Sequence, residues 1–238
     1  MIRRCQMKSL AAVLALIVPI HATAAESLVD RLLRISGLTV APQTRGPGDE
    51  GEAGNLWIVD LDRRASRALT ADGGYRSPVF APGGVIYALK AATIVRIPLD
   101  GGKPATVQKA AGALKLAGFD RTDADELLVL FESAAAGSPL GVVSLKTGRL
   151  TPLPYDAKSA EQRLLLEQVR AQDRVYGDTS LYTKTESKRG LSRNIEWTDV
   201  YLRRGAAAPQ NISACDGMNC TQPALAPDGR NVVFVKTE

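Results

Sequence analysis

Apolar and polar residues alternate along most of the chain in short runs broken by proline and glycine, as in half-buried strands joined by tight turns. Two stretches share one frame. Residues 77–90 read SPVFAPGGVIYALK and residues 222–236 read QPALAPDGRNVVFVK. In each, a proline and two small or apolar residues precede A-P-x-G and an alternating run. Pro82-Gly83-Gly84 and Pro227-Asp228-Gly229 suit hairpin turns, since proline presets φ and glycine takes positive φ. Gly190, by contrast, lies in a polar stretch that reads as loop. The two copies stand about 145 residues apart, several times the roughly 40-residue spacing of propeller blades.

The same order of strands can be laid along the rest of the chain. LWIVDLD at 56–62 alternates as a strand, and RALT at 67–70 follows as a short outer one. TIVRIPLDGGKPATV at 93–107 is a strand, a turn at Asp100-Gly101-Gly102 and an edge strand. ALKLAGFDRTDADELLVLFE at 113–132 and GVVSLKTGRLTPLP at 141–154 form a third unit. A fourth runs from about Arg163 to Ser213, with LLLEQV equally compatible with a helix. The chain ends on a first hairpin with no outer pair after it. Either LWIVDLD…RALT completes that hairpin as a composite blade, giving about four blades, or LLRISGLTVAP at 32–42 is an imperfect inner pair and the last blade is incomplete, giving about five. The expected fold is all-β: a small propeller of four to five four-stranded blades.

The amino terminus changes the compartment. Arg3, Arg4 and Lys8 precede the apolar run SLAAVLALIVPI, and Ala22-Thr23-Ala24 fits a cleavage site. This is the three-part pattern of an export signal. It divides the chain into a signal at 1–25, a lead-in and Gly- and acid-rich loop at 26–54, and repeats at 55–238. The expected location is periplasmic or secreted, with no stable membrane insertion after cleavage. The net charge of +5 falls by three with the signal, so no nucleic-acid footprint remains. Two of the three cysteines, Cys215 and Cys220, follow the signal. In an oxidising compartment they are expected to pair as a disulfide rather than serve as a redox or metal pair.

Candidate chemistry is sparse. The only histidine, His21, lies in the signal, which removes histidine-based nucleophilic catalysis and histidine metal sites from the mature chain. There is no G-x-S-x-G elbow and no phosphate loop. Asp120, Asp123, Asp125 and Glu126 cluster in FDRTDADE, hard oxygens of a kind that can hold calcium, but the D-x-D-x-D-G frame of a calcium loop is not met and the cluster reads as a solvated turn. No metal or other cofactor is expected. Aromatic and arginine residues near loops are the usual anchors of an interface. Tyr75, Arg76, Arg193 and Trp197 are therefore the candidate partner-binding residues, with strand packing the competing role for Trp197.

LWIVDLDRRASRALTADGGYRSPVFAPGG resembles the repeat of TolB-type, WD40-like propellers. Leu69-Thr70, Ser77-Pro78 and Pro82-Gly83-Gly84 take the positions of that family's L-T and S-P-x-x-S-P-D-G, and Pro223, Pro227, Asp228 and Gly229 take them again. Ala81 and Ala226 stand where the family usually has serine, and Gly83 where it has aspartate. ESLVDRLLRISGLTVAP is similar to the lead-in to the propeller of prolyl-oligopeptidase-type peptidases. The resemblance implies a non-catalytic interaction module that holds an envelope protein or peptide segment. The alternatives it leaves are an accessory or remnant propeller of a peptidase, or a carboxylate- and metal-dependent lactonase-like hydrolase.

Overall fold

The computed structural model describes residues 27–35, 38, 52–121, 123–135, 138–171, 173–191 and 193–237. The expected signal at 1–25 and residues 43–51 lie outside the described residues. Among the described residues the first element is α1 (Leu28–Leu33), capped by Ser27, whose side chain accepts from the Asp30 amide. β1 (Asn55–Asp60) and β2 (Ala65–Ala68) follow. Blade 1 is β3 (Tyr75–Phe80), β4 (Ile86–Lys90), β5 (Thr93–Ile97) and β6 (Ala105–Lys109). Blade 2 is β7 (Ala113–Phe119), β8 (Glu126–Ala135), β9 (Ser138–Ser144) and β10 (Leu150–Pro152). α2 (Ala160–Arg170) precedes blade 3, which is β11 (Arg174–Tyr176), β12 (Thr179–Arg189), β13 (Asn194–Arg204) and β14 (Gln210–Asn211). β15 (Asn219–Leu225) and β16 (Asn231–Thr237) end the chain.

Four four-stranded antiparallel sheets result, and the fourth, blade 4, pairs strands from the two ends of the described chain in the order β15-β16-β1-β2. β1 pairs with β16 from Asn55↔Lys236 to Asp60↔Asn231. Of the two closures left open by the sequence, the composite blade is the one formed. It occupies the edge that β16 would otherwise expose.

The shared frame encodes more than a turn. Ala81 N–H donates to Val85 O at 2.8 Å and Ala226 N–H to Asn231 O at 2.8 Å, closing equivalent hairpins. Gly229 has φ +70, which fits the role expected of it. Upstream, Ser77 and Gln222 both adopt left-handed backbone, at φ 51 and φ 55. Each sits in a bulge, between Arg76 and Val79 in one copy and between Thr221 and Ala224 in the other. Left-handed backbone costs a non-glycine residue about 1–2 kcal/mol, so the surrounding pairing must hold both in place.

Two segments depart from strand expectations. LLLEQV lies in α2, where Ser159 accepts from the Gln162 amide and Leu165 and Val169 are buried four residues apart. That 3.6-residue spacing overrides the strand reading. The inner strand of blade 3 is the three-residue β11 instead. Of the segment 32–42, residues 32–35 supply the end of α1 and a single bridge, Ile35↔Asp120, while residues 36–37 and 39–42 lie outside the described residues.

Apolar clusters fill the seams between blades. Leu56, Ile58, Phe80, Ile86, Ala224 and Val233 join blades 4 and 1. Val79, Leu89, Ile94, Leu116, Phe119 and Leu127 join blades 1 and 2. Leu181, Val200, Leu202, Leu225, Val232 and Phe234 join blades 3 and 4. Between blades 2 and 3 the core is made differently. Leu28, Leu32, Leu165 and Val169 of the helices pack on Ala117, Leu128, Leu130 and Val142 of blade 2.

Candidate functional site

The axis of the ring is nearly full. The cavity there measures about 30 Å³ and is bordered by Ser77, Lys115, Arg174, Tyr176 and Gln222, among others. Space of that size holds one or two waters and no polypeptide. Two buried cations fill the axis. Lys115 of β7 donates its Nζ to Arg170 O at 2.7 Å and Ala171 O at 2.6 Å. Arg174 of β11 donates to Gln168 O, Ala171 O and Asp173 O at 3.1, 2.6 and 3.0 Å, and to Val169 O at 3.4 Å. Both side chains thus satisfy the end carbonyls of α2, which an α-helix leaves without internal partners. Their charge also opposes the negative end of the helix dipole. Burial pushes the Arg174 guanidinium downward, against the pull of Tyr176 and Asp173. On the other side of the axis, the Ser77 amide donates to Gln222 Oε1 at 2.6 Å and Gln222 Nε2 donates to Glu52 O at 2.9 Å.

A second site, roomier than the axis, lies between the outer parts of blades 3 and 4. A groove of about 340 Å³ is formed there, within the usual range of ligand pockets. Val59, Leu61, Leu202 and Ile212 give it an apolar floor. Arg64 and Arg204 stand at its rim, both exposed. Arg64 sits in the β1–β2 turn with φ 53. Arg204 closes β13 and donates to Gly229 O at 3.2 Å.

One wall of the groove, residues 210–214, is held by a single carboxylate. Asp199 Oδ1 accepts from the Cys215 amide at 2.7 Å and Ser213 Oγ at 2.8 Å. Its Oδ2 accepts from Trp197 Nε1 and Asn211 Nδ2, each at 2.9 Å. Burial alone would raise this carboxyl's pKa, but the four donors together hold it below the usual aspartate range. Cys215 and Cys220 form the expected disulfide, with Cα atoms 6.2 Å apart, within ordinary disulfide geometry. The wall is therefore tied to β13 by Asp199 and to β15 by sulfur.

The four candidate partner-binding residues are not brought together. Tyr75 is 1% exposed, in the core between blades 4 and 1, with Lys90 Nζ 4.4 Å from its ring centre. The S-P frame that follows it places it on the inward face of β3, not on a loop. Arg76 bridges blades by donating to Leu114 O at 3.0 Å and Ala113 O at 2.9 Å. Trp197 is half-buried and serves Asp199, in line with the packing role that competed for it. Arg193 is exposed in the turn between β12 and β13. Its neighbour Gly190 is no neutral loop position, because an added Cβ would fall 2.5 Å from Arg193 O.

The acidic cluster is spread over separate tasks. Asp120 pairs with Arg34 at 2.7 Å, and Glu126 pairs with Arg31. Asp123 accepts from the Asp125 amide at 2.8 Å. Asp125 accepts from Ser144 Oγ at 2.7 Å and the Lys146 amide at 2.6 Å, and the Ser144 bond, chief among its partners, lowers its pKa. Among the described residues no group of three or more histidine, cysteine or acidic side chains converges as a metal site would require.

Sequence reasoning passed over Arg64, Arg204, Asp199, Lys115 and Arg174. Arg64 and Arg204 each end a doubled arginine, a pattern that by itself marks no site. Asp199 alternates with polar neighbours in TDVYLRR and carries no local signal of burial.

No protein-family model and no curated protein matches this chain. Among solved structures it is similar to one described as TolB from Agrobacterium tumefaciens, at 14% identity and a TM-score of 0.36, over 77% of this chain and 62% of that one. It is also similar to the apo AtxE2 isopeptidase, at 13% identity and a TM-score of 0.25, over 90% of this chain and 44% of that one. The chain thus spans less than two thirds of either. The propeller anticipated from the TolB-type repeat is the fold observed, and its blade count rests on the strand pairing itself.

Proposed function

We propose that this chain is an exported, non-catalytic TolB-like propeller that holds a segment of a partner protein in the cell envelope. The observation that carries this reading is the groove between blades 3 and 4, with an apolar floor and arginines at its rim. An axis of about 30 Å³ is too full to take a peptide. The groove has room for one or two side chains, and its rim suits an apolar residue flanked by a carboxylate. A wall fixed in advance by Asp199 and the disulfide lowers the ordering cost of binding. The Cys215–Cys220 bond supports an oxidising compartment. No described helix is long and apolar enough to cross a membrane.

The test is site-specific photocrosslinking in envelope fractions. A crosslinking residue at Gln210, in the groove, should yield a discrete protein adduct. The same residue at Lys103, in the exposed β5–β6 turn of blade 1, should not. Equal adducts from both positions, or none from Gln210, would overturn the groove as the binding site.

A further inference from the structure

The hairpin of β12 and β13 is longer than its blade requires. Its pairing runs unbroken from Thr179↔Arg204 to Arg189↔Asn194. The inner rows are packed, with Leu181, Val200 and Leu202 in the core. The last three rows, Ser187↔Glu196, Lys188↔Ile195 and Arg189↔Asn194, are exposed on both strands. At about 3.3 Å per residue they and the turn stand roughly 10 Å clear of the blade. Leu191 in that turn is fully exposed, and Ile195 is 47% exposed. From Ser187 to Ile195 the chain has three cations, Lys188, Arg189 and Arg193, and no acid. Lys188 and Arg189 are sequential in a strand and so point to opposite faces. None of the three is in an ion pair among the described residues. The nearest acids are Glu186, one row behind the tip and engaged by Lys184 at 2.8 Å, and Glu196, exposed opposite Ser187 in the row of these three farthest from the turn.

We infer that this hairpin tip docks reversibly on an anionic lipid surface, with Leu191 entering the headgroup boundary and the three cations resting on the headgroups. A convex tip with an apolar apex and a cationic collar matches a flat, deformable, negatively charged surface. A concave pocket on another protein would have to enclose charges on both ribbon faces at once. The inference is independent of the groove, and it involves no membrane span. Each cation near an anionic leaflet contributes about a fivefold factor to partition, screened within a Debye length. Three together give on the order of a hundredfold, and the leucine adds its own burial.

The experiment is co-sedimentation of the mature exported protein with vesicles. One set contains 30 mol% phosphatidylglycerol in phosphatidylcholine, and the other is phosphatidylcholine alone. Wild-type protein should pellet with the anionic vesicles, release at high salt, and leave the neutral ones unbound. Lys188→Glu with Arg189→Glu and Arg193→Glu should lower partition by at least about a hundredfold, since reversal adds repulsion to the lost attraction. Leu191→Ser, which leaves the charge unchanged, should lower it severalfold while leaving binding to soluble polyglutamate unchanged. All substituted residues are exposed, and an unchanged thermal melt confirms that each variant is folded. Equal pelleting with neutral vesicles, or an unaltered triple variant, would overturn the inference. So would an unaltered Leu191→Ser, since charge alone would then suffice. Binding to polyglutamate without binding to vesicles would assign the tip to an acidic polypeptide and also overturn it.

Discussion

The seam between blades 4 and 1 is apolar and carried by the repeats, with Phe80, Ile86, Ala224 and Val233 interlocked and Gln222 reaching across to the Ser77 amide. The seam between blades 2 and 3 holds two helices and two buried cations. The first joins two copies of one sentence. The second is filled by a segment outside the repeat. Blade 3 offers only a three-residue inner strand there, so α2 supplies the missing bulk. A helix end brought to the axis needs donors for its carbonyls, and Lys115 and Arg174 are the longest ones available. The inserted region therefore adds buried polar ties to its apolar packing, whereas the repeated seam rests chiefly on apolar contacts.

That contrast predicts a graded response. Arg174→Leu removes donors from the end of α2 and should cost about 3 kcal/mol, since each buried acceptor left without a partner costs about 1–3 kcal/mol. In a domain of this size that is a fall of roughly 6–12 °C in melting temperature, measured by circular dichroism. A loss under 1 kcal/mol would show that the helix end is satisfied without it.

Asp199 tests the seam between blades 3 and 4, where polar and apolar ties are mixed. Asp199→Asn should cost about 2 kcal/mol at pH 7, because one acceptor oxygen is replaced by a donor facing other donors. The folded carboxyl is held below its ordinary range. Its contribution is therefore complete above the unfolded value of about 3.9 and is lost as pH falls through the folded one. Stability curves of wild type and variant should converge below about pH 4. Parallel curves down to pH 2 would contradict the assignment.

On the repeated seam the effects should be smaller. Gln222→Ala leaves the Ser77 amide without its acceptor and should cost about 1.5 kcal/mol. Gln222→Gly should cost less, because glycine relieves the left-handed backbone at φ 55. Gly229→Ala should cost about 1 kcal/mol from positive φ alone, as nothing stands within 4 Å of an added Cβ. Chemical denaturation with linear extrapolation resolves both. A Gln222→Gly variant weaker than Gln222→Ala would show that the strain reading of the bulge is wrong.

What the sequence made legible follows the same division. The period-2 runs, the A-P-x-G turns and the closing hairpin pointed to a propeller with a composite blade as one of two closures, because strand pairing is written locally. The disulfide was legible because two cysteines near in sequence, in a chain that opens on the pattern of an export signal, have few other fates. α2 was legible only as an ambiguity in LLLEQV, since apolar spacing over six residues fits both periods. The site was the least legible part. Tyr75 looks like a loop aromatic but is drawn inward by the bulge at Ser77. Arg64 and Arg204 are about 140 residues apart, and only the pairing of the chain's two ends brings β1 and β2 beside blade 3. No local pattern records a groove made by that meeting.

The central claim is that the groove holds a partner segment through its arginine rim. The most direct measurement is the affinity of the crosslinked partner for wild type and for Arg64→Glu with Arg204→Glu. Both residues are exposed and the double variant should melt as wild type does. The account predicts a loss of at least tenfold in affinity, shrinking as salt screens the rim. Unchanged affinity in a folded double variant would contradict it.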